Sequence, residues 1–121
     1  MTDLARLKAL GLIARLRRDQ ALRPVARLQA DRVRLDAARR ALQTRLAGFA
    51  NDPCDPGDAA RAAAHAGRMR GMLMATTPER ARVEAELDAA KHRAARAVAR
   101  ADILARLEKR LESRAPRSGK K

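Results

Sequence analysis

The chain has 121 residues and a net charge of +14, from 28 basic and 14 acidic groups; Phe49 is its one aromatic residue. That length allows one ordinary domain at most, and without aromatic rings a compact globular core loses much of its usual buried area. A lone cysteine, Cys54, excludes an internal disulfide, and no apolar run approaches the roughly 18 residues of a membrane span.

Ala, Arg and Leu dominate the composition, as in long helices, and no alternating run of β-branched residues suggests a strand. Thr2 or Asp3 can cap a first helix that starts at Leu4. Its apolar face reads as Leu4, Leu7, Leu10 or Leu12, Ile13 and Leu16. Pro24 would clash with the Gln20 carbonyl and remove one backbone donor, so a kink or short break is expected there. Beyond it, Leu28, Leu35, Leu42 and Phe49 recur by sevens, with Arg32 and Arg39 at the alternate positions. Arginine stems can cover apolar surface there while the guanidinium stays in water.

Asn51-Asp52-Pro53 and Asp55-Pro56-Gly57 form the clearest turn signal. It separates a first arm of about residues 3–49 from a second of about 58–114, with the turn at about 50–57. In the second arm Val83, Leu87, Ala90, Ala94, Ala97, Ala101 and Leu104 alternate steps of four and three, the repeat of a coiled-coil seam. Extended backwards, the register meets Ala59, Ala62, Ala66, Met69 and Leu73, then stumbles at Thr76 and Arg80. Forwards it meets Glu108, where Leu107 offers to take over the packing, and then Leu111.

A stripe this long requires a partner helix, and a short connection makes the first arm the simplest one. The fold class expected is all-α, a long antiparallel two-helix coiled-coil hairpin with kinks near Pro24 and Pro78. Thr77 and Pro78 read as a helix start, so a break is expected near 76–78. A turn near residue 53 would set Pro78 opposite about residue 28, bending both arms at a similar height. Residues 115–121 read as a disordered basic tail.

Nothing in the chain suggests catalysis. His65 and His92 lack metal-ligand spacing, the Gly67–Gly71 stretch lacks a phosphate-loop pattern, and the carboxylates sit among arginines as on solvated helix faces. No enzyme activity, metal or cofactor is expected. The Met69–Met74 stretch suits adaptable protein contact or a broader seam near the turn. The arginines of the first arm could track nucleic-acid phosphates, but they surround the helix and no aromatics interleave to stack bases. A basic coiled-coil nucleic-acid binder and a generic dimerising adaptor therefore stand as alternatives to a protein-contact role.

Leu12-Ile-Ala-Arg-Leu-Arg-Arg-Asp-Gln-Ala-Leu22 and the closing segment Ala99 to Leu111, with its spaced leucines, resemble the FliJ/YscO family of flagellar and type III export stalk proteins. The resemblance implies a non-catalytic, cytoplasmic part of an export apparatus, peripheral to the inner membrane through that machinery. The end carrying both termini would enter a hexameric export ATPase, with Arg6, Lys8, Arg15, Arg17 and Arg18 facing acidic ring surface beside Arg106, Lys109 and Arg110. Nearer the turn, Leu46, Phe49, Met69 and Met72 would touch the export gate or substrate chaperones.

Overall fold

A computed structural model describes residues 2–51 and 56–119. Two helices, α1 (Asp3–Asn51) and α2 (Pro56–Gly119), make up the hairpin, with no strand among the described residues. The centre of the expected turn, Asp52 to Asp55, lies outside those residues, as do Lys120 and Lys121.

Thr2 is the cap of α1. Its side-chain oxygen accepts a hydrogen bond from the Ala5 amide at 3.2 Å, and its carbonyl accepts from Arg6 at 3.1 Å. The first bond satisfies one of the donors that a helix start leaves unpaired, the second is the first turn of the helical ladder, and Asp3 adds a negative charge to the first turn. Pro56 opens α2, where its missing amide hydrogen costs nothing, with Asp58 in the first turn.

Neither proline breaks its helix. Helix continues through Pro24 in α1, and α2 runs without a break through Thr76-Thr77-Pro78. An interior proline costs a helix about 3 kcal/mol. Seam residues are buried on both sides of each proline, Ala14 and Leu28 around Pro24 and Thr76 and Val83 around Pro78. Thr76 itself, where the register was expected to stumble, is buried. Its hydroxyl donates to the Leu73 carbonyl at 2.6 Å, so the polar atom is satisfied within its own helix and the residue can occupy the seam. The tail expected from residue 115 also differs, because α2 extends to Gly119.

The hairpin packs as two units. One combines α1 up to Arg27 with α2 from Leu87 onward; the other spans Leu28 to Glu86 and contains the turn. In the second unit Leu28, Ala66, Met69 and Val83 are buried, and Leu35, Leu42, Leu46 and Phe49 are half-buried. Arg32 and Arg80, the charged seam positions, reach across to the facing helix. Arg32 lies 3.7 Å from Glu84 and Arg80 lies 3.3 Å from Asp36. These two pairs bring Pro78 level with the Ala38 region rather than with residue 28.

In the first unit the α2 seam is alanine from Ala90 to Ala101, with Ala90, Ala94 and Ala101 buried and Ala97 half-buried, between buried Leu87 and half-buried Leu104. The α1 residues facing inward there are Gly11 and Ala14, with Leu4 and Leu7 half-buried toward the start. Leu10, Leu12, Ile13 and Leu16, expected on the packed face, are all about half exposed. Small residues at the two inward positions, Gly11 and Ala14, leave room for larger side chains across from them, Leu104 in the groove that Ala14 lines and Glu108 against Gly11. The charged slot at Glu108 follows the same logic. A methyl group on Gly11 would sit 3.3 Å from Glu108 Oε2, so the missing side chain makes room for that carboxylate. Glu108 stays half-buried in register while Leu107 is 41% exposed, so the seam does not drift onto Leu107.

Candidate functional site

The basic residues expected to meet a partner all fall in the unit containing the start of α1 and the end of α2. They do not form one patch. Arg6 and Arg110 line a groove of about 480 Å³ together with Leu7, Leu10, Leu107 and Leu111. Arg17 lines a second groove of about 360 Å³ with Ile13, Ile103 and Arg100. Leu10 is common to both, so the two form one continuous furrow between the helices. The open side of the two helices in this unit is thus concave.

Other members of the set are placed differently. Lys8 lies 3.4 Å from Glu112 on the facing helix, and Arg18 donates to neighbouring Asp19 at 3.2 Å from a half-buried seam position. Arg15 is exposed, with Nη1 3.7 Å from where a Gly11 methyl would lie. Arg106 and Lys109 are exposed and line neither groove.

Of the four residues expected to act near the turn, one is enclosed. Met69 is 3% exposed and belongs to the seam. Leu46 and Phe49 are half-buried, and Phe49 meets His65 edge-on, ring centroids 5.5 Å apart at 83°. Met72 is open to solvent at 58% exposure, as is its neighbour Met74. An unbranched thioether left outside the core suits contact with a partner of variable shape.

Both histidines make local contacts on exposed helix surface. Nδ1 of His65 is 3.3 Å from Arg68 Nη2, and Nδ1 of His92 is 2.8 Å from the Asp88 carbonyl. Among the described residues no group of three or more His, Cys, Asp or Glu side chains could hold a metal ion, and no helix is long and apolar enough to cross a membrane.

Sequence reasoning missed Ile13, Ile103 and Arg100 as surface-forming residues. The signal was present for the first of them. Extended backwards by sevens from Leu28, the α1 seam lands on Ala21, Ala14 and Leu7, which leaves Ile13 outside. No known protein family, curated protein or solved structure matches the chain.

Proposed function

We propose that the chain is a non-catalytic coiled-coil stalk of a flagellar or type III protein-export apparatus. In this reading the end of the hairpin where α1 starts and α2 finishes contacts an export ATPase hexamer. The turn side contacts the export gate or substrate chaperones. The observation that carries the reading is the set of exposed cations at that end: Arg6, Arg15, Arg17, Arg106, Lys109 and Arg110 have no ion-pairing carboxylate among the described residues. A surface with this excess favours encounter with an acidic partner and sets the salt dependence of binding. On the turn side, exposed Met72 supports contact with a second protein. Cytoplasmic work at the face of a membrane machine fits a chain whose described helices offer no span.

Co-purification with the hexameric export ATPase, followed by its hydrolysis rate, tests the proposal. Reversing charge at Arg15, Arg17 and Arg18 together should abolish binding, and raising salt should weaken it for the unaltered chain. Met72→Ser should leave ATPase binding intact and reduce capture of the export gate or chaperones. ATPase binding that survives the triple reversal would overturn the assignment. Retention of nucleic acid through purification, lost steeply with salt, would replace it with a phosphate-binding role.

A further inference from the structure

The furrow in the first unit has a composition that specifies its occupant. Its floor consists of Leu10 and Ile13 from α1 and Ile103 and Leu107 from α2, exposed at 53%, 47%, 55% and 41%. These large apolar side chains lie outside the packed interface, where Gly11 and Ala14 hold the inward positions of α1. Arg6, Arg17, Arg100, Arg110 and Arg114 line it, and Asp3 is its single acid. None of the five arginines has a carboxylate within ion-pairing distance among the described residues.

We infer that this furrow docks an acidic amphipathic helix of another protein, its apolar stripe on Leu10, Ile13, Ile103 and Leu107 and its carboxylates against the flanking arginines. The floor residues on each arm are spaced by three and four, the spacing that receives the ridges of a third helix. An extended peptide would fit poorly, since neither arm can offer backbone partners to its amides and carbonyls over an apolar floor. A second copy of the chain is disfavoured by charge: a symmetric pairing through this face would press five arginines against five others. From Arg6 to Arg17 the α1 wall is about 17 Å long, which accommodates about three turns of helix. Guanidinium groups suit the role because they pair with carboxylates through two parallel hydrogen bonds.

The inference does not depend on the export reading; it requires only the furrow and its charge, and its test contains no ATPase. Fluorescence anisotropy of the full chain would use a labelled helical peptide of about 16 residues, with leucines at helical spacing flanked by glutamates. A matched peptide carries lysine in place of each glutamate. The acidic peptide should bind at least about tenfold more tightly than the basic one. Ile13→Ser with Ile103→Ser should weaken it by about tenfold or more, and Arg17→Glu with Arg100→Glu should reverse the preference between peptides. Leu12→Ser with Leu16→Ser, equally exposed positions of α1 outside the furrow, should change nothing. The inference is overturned by failure of the acidic peptide to bind, by equal affinity for both peptides, or by insensitivity to the isoleucine pair. Tighter binding to phosphatidylglycerol vesicles than to the peptide would assign the face to anionic lipid instead. Self-association that the isoleucine substitutions abolish would assign it to a second copy.

Discussion

The two packing units use the same heptad rhythm with different residues, and the difference decides what each presents to solvent. The unit holding the turn is seamed by larger side chains, Leu28, Met69 and Val83 among them, and its charged seam positions are answered across the hairpin by Arg32–Glu84 and Arg80–Asp36. Its groove carries Asp31, Glu79 and Glu86 beside Arg34 and Arg82, a surface of mixed sign. The unit at the other end is seamed by Gly11, Ala14, Ala90, Ala94 and Ala101 beside Leu87, and Leu10, Ile13, Ile103 and Leu107 lie outside among arginines. A seam of small residues brings helices close but buries little area per residue, so the apolar surface it leaves over remains available for another molecule.

The sharpest way to break this comparison is to remove the largest seam residue of the alanine-rich unit. Leu87 is 2% exposed, and Leu87→Ala should cost about 2–4 kcal/mol, read as a lowered midpoint in urea. In a seam of alanines few neighbours can collapse into the space. Overpacking comes next. Ala94→Leu should destabilise by about 1–3 kcal/mol, because the helices must separate to admit it. The volume-conserving Leu73→Met in the other unit should cost less than about 1.5 kcal/mol. Equal losses from Ala94→Leu and Leu73→Met would mean that the two seams are not differently tight.

Smaller effects sharpen the contrast. Gly67 and Gly71 have open space where a side chain would begin, so Gly67→Ala and Gly71→Ala should each raise stability by about 0.5–1 kcal/mol through helix propensity alone. At Gly11 the same change presses on Glu108, and its gain should be smaller than at Gly67. A double-mutant cycle on Asp36 and Arg80, both partly exposed, should return a coupling below about 1 kcal/mol that shrinks as salt is added. Least of all, Ile13→Ser should shift stability by less than about 0.5 kcal/mol, since the residue serves the surface and not the fold.

Much of the hairpin was legible from residue order. The α2 register read from Val83 to Leu104 matches its buried and half-buried residues, and it holds backwards through Thr76, Met69 and Ala66. Local backbone chemistry says what a proline costs, yet helix continues through both Pro24 and Pro78. The face of α1 misled as well. Hydrophobicity ranked Leu10 and Ile13 above Gly11 and Ala14, but packing buries the two small residues and leaves the two large ones outside. The apolar furrow follows from that choice, and of its floor the count by sevens from Leu28 had already set Ile13 outside the seam.

Residue order by itself determined two long helices, the repeat that makes them pair, and the concentration of positive charge toward the end where α1 begins. Each is a property of periodicity or composition, carried within one helix. Tertiary structure decided the register, which sets Asp36 against Arg80 and Lys8 against Glu112, and so decided which apolar residues are enclosed and which remain outside. That choice depends on how closely two surfaces can approach, a quantity that belongs to neither helix alone.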